Sequence, residues 1–239
     1  MSLYLLHCAP DARALAAWAT RHRLLSPDGD EGYALHALLT AAFGTQAPKP
    51  FRYLGGRQGL LAYGDQPPDI LQDHAALAAP DVARALGLDT LAIRTFPSIW
   101  RPGQTLSFEV RVRPVIRTRD GRERDVFLNA IEATSPPSQV QEREAVYTVW
   151  LGKQFAEQDG AQVLQVGMTS FRLSRVVRRR DADETGQRRA RTPSGPDALF
   201  NGTLRIGNGE AFQRLLARGI GRHRAFGFGM LLLRPAHSC

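Results

Sequence analysis

Strand-like and helix-like stretches follow one another in the order β-α-β-β-α-β, and the whole order then repeats. That is the ferredoxin-like pattern taken twice, each run implying an antiparallel sheet backed by helices. In the first half "LYLLH" (3–7) reads as a strand. Asp11 is the expected N-cap of a helix carrying Leu15 and Trp18, and "SPDGDEG" separates it from a second helix, "YALHALLTAAF". "FRYLG" and "GLLAYG" predict a hairpin, "PPDILQDHAALA" a proline-started helix followed by another short helical piece, and residues 88–96 a strand. The stretch "PSIWRPG" suits a linker. Beyond it come the strand "QTLSFEVRVRPVI", a helix over 142–158 with Ala145, Val149 and Phe155 near one face, and the strands "AQVLQVGMTSFRLSRVV" and "ALFNGTLRI". A helix closed by Gly219 and the strand "FGMLLLRP" complete the second half, with 120–140 as extra material. The expected fold is α+β, two tandem ferredoxin-like (RRM-like) domains at 1–97 and 98–239.

A chain of 239 residues with 43% hydrophobic and 23% charged content can bury a core without disulfide staples. Its net charge is +8, carried mostly by arginine, since lysine occurs only at Lys49 and Lys153. That balance favours polyanions, nucleic acid before an anionic membrane surface. There is no run of about 18 apolar residues, and "MSLYLLHCAPDARAL" lacks a basic export signal, so a cytoplasmic protein that does not cross a membrane is expected. Cys8 and Cys239 match no zinc or redox spacing, and none of the six histidines sits in an HExxH pair. No metal and no cofactor are therefore expected.

Near the end, "RGIGRHRAFGFGMLLL" (218–233) combines Gly219, Gly221, Gly227 and Gly229 with Arg218, Arg222, His223 and Arg224. Small residues let backbone amides approach phosphate oxygens while guanidinium groups grip them, so this loop is expected to bind a sugar-phosphate backbone. A second basic element, "FRLSRVVRRRDADETGQRRAR", carries Arg172, Arg175, Arg178, Arg179, Arg180, Arg188, Arg189 and Arg191. Together with Arg111, Arg113 and Arg117 on a preceding strand it is expected to extend the same RNA-binding surface, with affinity that falls steeply as salt rises.

In "DEGYALHALL", Tyr33 and His36 are three residues apart and so project from one face of a helix. Imidazole can take a proton from a ribose 2′-hydroxyl or give one to a leaving 5′-oxygen, and the phenol can assist. With no metal motif, an arginine would have to stabilise the extra charge of the phosphorane; Arg23, Arg222 and Arg224 are the candidates.

The glycine loop, the preceding "NGTLRIGNGEAFQRLLARG", "YALHALL" and the doubled fold pattern together resemble the CasE family, the CRISPR repeat-processing endoribonucleases of the type I-E Cascade complex. The resemblance implies metal-independent cleavage of precursor CRISPR RNA at the base of a repeat hairpin, by attack of the 2′-hydroxyl on the adjacent phosphate. It implies products with a 2′,3′-cyclic phosphate or 3′-phosphate and a 5′-hydroxyl, and an enzyme that stays on the hairpin with other Cascade subunits. The family's catalytic tyrosine and histidine fall on Tyr33 and His36, and its glycine-rich loop on Gly219 to Gly229. The chain departs from the family in carrying Phe228 where cysteine is frequent, Arg224 where lysine is common, and the insertion "TRDGRERDVF". A processing enzyme of a related type IV system is the alternative within this chemistry, and a non-catalytic RNA-binding subunit is the alternative of a different class.

Overall fold

The computed structural model describes residues 2–56, 58–133, 142–175, 178–179, 190–191 and 194–236, the two dipeptides 178–179 and 190–191 as backbone alone. In chain order the elements are β1 (Tyr4–Cys8), α1 (Ala12–Arg21), α2 (Gly32–Phe43), β2 (Phe51–Tyr53), β3 (Leu60–Gly64), α3 (Pro68–Ala76), α4 (Pro80–Leu86) and β4 (Ala92–Thr95). There follow β5 (Thr105–Val112), β6 (Val115–Arg117), β7 (Glu123–Asp125), α5 (Val126–Ala133), α6 (Arg143–Ala156) and β8 (Ala161–Arg175). The last are β9 (Arg178–Arg179), β10 (Ala190–Arg191), β11 (Ser194–Ile206), α7 (Gly209–Arg218) and β12 (Leu231–Pro235). The chain divides into two compact units: Met1–Phe96 with Ser174–Ser194 and Ala225–Gly227, and Pro97–Leu173 with Gly195–Arg224 and Phe228–Cys239.

In the first unit the sheet runs β2-β3-β1-β4. β1 is antiparallel to both neighbours, Leu6 standing opposite Ala62 on one side and Ile93 on the other. Its inward residues Leu6 and Cys8 pack with Leu15 and Trp18 of α1, Leu35 and Leu38 of α2, and Leu86 of α4. Burying each leucine contributes about 1.5–3 kcal/mol. α1 begins where its capping residue dictates, the Asp11 side chain accepting the Ala14 N–H at 2.7 Å.

The second unit repeats that strand order, as β12-β5-β11-β8. Along β5, Leu106, Phe108, Val110 and Val112 are buried and the residues between them half-buried. Val110 pairs with Phe200 of β11 and with Leu231 of β12, which centres this strand in its sheet. Both units are thus ferredoxin-like, as the alternating pattern predicts.

Three expectations need correction. On α6 the buried positions are Tyr147, Trp150, Leu151 and Phe155, a helical stripe, whereas Ala145 is exposed and Val149 is 59% exposed. The strand expected over 88–96 is only Ala92–Thr95, because Leu88–Thr90 forms a short 3₁₀ turn. The strand expected to run on through "RPVI" stops at Val112: Pro114 has no N–H to give the ladder, and the Val115 N–H bonds back to Arg113 O at 2.8 Å. The chain then makes a separate hairpin in which β6 pairs with β7, Arg117 opposite Glu123. The region expected as extra material therefore contains β7 and α5, with 134–141 outside the described residues.

Candidate functional site

The apolar stripe of α2, with Ala34, Leu35, Leu38, Leu39, Ala42 and Phe43 buried, fixes how the helix is rolled onto its sheet. Tyr33 and His36 are left at the margin of that stripe, both half-buried. Their rings lie 6.2 Å apart at 60°. Phe226, part of the same unit, touches both: it stacks on Tyr33 at 5.6 Å and meets His36 edge-on at 5.2 Å and 86°. Such edge-to-face and offset contacts favour one ring orientation. The approach depends on Gly32, where a Cβ would lie 2.4 Å from the Phe226 carbonyl oxygen. The first turn is held as well by Asp30, whose carboxylate accepts the Gly32 N–H at 3.0 Å.

Burial, and secondarily the Lys49 ammonium, hold the His36 imidazole below the ordinary histidine range. At neutral pH the ring is neutral and able to accept a proton. Lys49 is a residue that sequence reasoning missed, and its one signal was its rarity, as one of only two lysines in the chain. Phe226 was missed as well, hidden by the glycines and arginines around it. Of the other expected contacts in this unit, Arg23 is exposed in a left-handed conformation, φ 55°, just after α1. Arg175 is exposed, with its backbone fixed by the α1–α2 loop: its N–H donates to Asp28 and its carbonyl accepts the Ser26 hydroxyl at 2.7 Å. The side chains of Arg178, Arg179 and Arg191, and Arg180, Arg188 and Arg189 entirely, lie outside the described residues.

The four glycines of the loop all adopt the left-handed backbone that the sequence implies, with φ of 76° at Gly219, 69° at Gly221, 82° at Gly227 and 77° at Gly229. The amides of two of them are already used, Gly219 N–H donating to Leu215 O and Gly229 N–H to Arg111 O, both at 2.7 Å. A Cβ at Gly229 would come within 2.2 Å of the Ile220 carbonyl oxygen. Gly219 and Gly229 thus shape the loop itself, and in this conformation their amides do not point at a ligand.

Several of the expected basic contacts of the second unit are held by carboxylates. Arg111 grips Asp197 with two nitrogens at 2.8 and 2.6 Å, and Arg172 reaches the same carboxylate with Nε at 2.8 Å. Burial pushes the Asp197 carboxyl up, but these two guanidinium groups outweigh it and bring it below the usual carboxylate range. Arg111 also lies over the Phe228 ring at 4.3 Å. Arg113 is 3% exposed and packs 5.6 Å from that ring, so it sits inside the unit and not on its surface. His223 is buried, with Nε2 2.7 Å from Glu123, whose other oxygen accepts from Arg222 Nε at 2.8 Å. Arg224 donates to the Arg218 carbonyl at 2.7 Å. Among the described residues no cluster of histidine, cysteine and carboxylates has metal-binding geometry, and no helix is long and apolar enough to cross a membrane.

No curated protein matches the chain in sequence. Several solved structures share its fold. Thermus thermophilus Cse3, bound to an RNA representing a pre-cleavage complex, is 19% identical with a TM-score of 0.61, over 98% of this chain and 100% of that one. The CRISPR-associated protein Cas6e from Escherichia coli K-12 is 18% identical with a TM-score of 0.53 over the same shares. A chain of a CRISPR RNA-guided surveillance complex in a pre-nicking state is 16% identical with a TM-score of 0.55, over 98% and 99%. At these identities the likeness is one of fold. The profile of the family described as "CRISPR associated protein" matches residues 3–235.

Proposed function

Because the chain belongs to the CRISPR-associated protein family, we propose that it is an endoribonuclease that cuts precursor CRISPR RNA within the repeat hairpin, without a metal ion. The observation that carries this reading is the neutral His36 imidazole beside Tyr33, both oriented by Phe226. His36 takes the proton of a ribose 2′-hydroxyl, the 2′-oxygen bonds to the adjacent phosphorus, and the bond from phosphorus to the 5′-oxygen breaks. That oxygen takes a proton from water and leaves as a 5′-hydroxyl, the imidazolium gives its proton back to solvent, and the other product ends in a 2′,3′-cyclic phosphate. Tyr33 orients the nucleophile or the phosphate. Lys49 and Arg23, cations of the same unit, are the side chains proposed to stabilise the phosphorane.

The basic side chains Arg172, Arg175, Arg222 and Arg224 are proposed to bind hairpin phosphates, as are Arg178 and Arg179. Retention on the product, as a subunit of a surveillance complex, is supported by the fold shared with a chain of such a complex. His36→Ala is expected to lower single-turnover cleavage of repeat RNA by about 10²–10⁴-fold and to leave hairpin binding intact. Binding by the wild-type chain with no cleavage at all would instead favour the non-catalytic RNA-binding subunit.

A further inference from the structure

Glu123 belongs to the insertion "TRDGRERDVF", and the β6–β7 hairpin places it opposite Arg117. Its carboxylate holds two residues of the glycine-rich loop at once. Oε1 accepts from Arg222 Nε at 2.8 Å, and Oε2 lies 2.7 Å from His223 Nε2. A carboxylate can only accept, so that ring nitrogen carries the proton. The three groups are graded in depth, with side-chain exposures of 1% for His223, 19% for Glu123 and 46% for Arg222. His223 also has φ 63°, a left-handed backbone that costs a non-glycine residue energy and needs outside support.

A carboxylate is the wrong sign of charge for a surface that binds a polyanion. Its geometry gives a reason for its being there. Guanidinium is a planar fork, and occupying Nε leaves the Nη1–Nη2 edge to a second bidentate partner. We propose that Glu123 is a positioning residue: it fixes the plane of Arg222 so that the outer edge receives a phosphate of bound RNA, and it anchors the loop through His223. The inference rests on the RNA-binding reading above and names a determinant outside the glycine-rich motif itself.

By simple charge counting, removing an acid from a basic face should tighten RNA binding; a positioning Glu123 requires the opposite. The experiment is a titration of fluorescent CRISPR repeat RNA, transcribed from the array of the source genome, with the full chain at several salt concentrations. Glu123→Gln is expected to weaken binding about tenfold and to reduce the salt slope by about one, as loss of a phosphate contact does. Arg222→Ala should do the same, and the double variant should be no weaker than Arg222→Ala alone. Arg222→Lys, which leaves Glu123 untouched but offers no Nη edge, should bind as weakly as Glu123→Gln and covers the case in which the latter does not fold. If a folded Glu123→Gln binds as tightly as wild type or tighter, if its effect multiplies with that of Arg222→Ala, or if Arg222→Lys binds like wild type, the positioning role is wrong while the RNA-binding reading stands. If the wild-type chain does not retain the repeat RNA, both fall.

Discussion

Around His36, Lys49 and Phe226 the proposed chemistry depends on single side chains. The lowered titration of His36 has two causes, burial first and the Lys49 charge second. A general base must be neutral, so cleavage is expected to persist below the ordinary histidine range and to fail only as pH drops through the lowered value. Lys49→Gln removes one cause of the lowering. The acid limb of the pH–rate profile should therefore move to higher pH, and a limb that stays in place would show that burial alone sets it. Phe226→Ala leaves the Tyr33 and His36 rings but removes the surface that orients them, and on the proposed mechanism should lower kcat about tenfold with little change in KM. The Tyr33–His36 pair was legible because three-residue spacing on a helix is a local property. Phe226 was not, since it reaches α2 through tertiary packing that no local period records, and neither was Lys49, whose charge acts on His36 through space.

At the scale of elements, a short apolar run located β1, strand alternation located β5 and capping residues located α1 and α7, but choosing the inner face of α6 required knowing what covers it. Val149 is apolar and on a helix, and yet it is 59% exposed, while Trp150 beside it is buried. Trp150→Ala is expected to cost about 3–5 kcal/mol of stability, and Val149→Ala about 0.5 or less, as read from denaturant midpoints. The β6–β7 hairpin escaped sequence reading for another reason. Its strands, "VIR" and "ERD", are short and charged, and so show no alternation to detect. It nevertheless supplies Glu123, which organises two residues of the glycine-rich loop. The stretch "TRDGRERDVF" is thus where an ordering contact comes from.

Taken whole, the molecule joins two sheets of the same strand order to a net charge of +8. The doubled topology was legible because the strands and helices of the repeated pattern, unlike the β6–β7 hairpin and α5, announce themselves within a few residues. The assignment of Ala225–Gly227 and Ser174–Ser194 to the first unit was not, because it is made by distant segments closing on one another. Arg113 is buried and Arg111 is committed to Asp197 through two nitrogens, so charge alone overstates how many of the expected arginines are available to phosphate. The most direct test of the account is to incubate the wild-type chain with repeat RNA in EDTA under single-turnover conditions and to identify the new ends. Cleavage at one site, leaving a 2′,3′-cyclic phosphate and a 5′-hydroxyl, is the expected result. Cleavage that requires a divalent metal, or that leaves a 5′-phosphate and a 3′-hydroxyl, would contradict attack by the neighbouring 2′-hydroxyl.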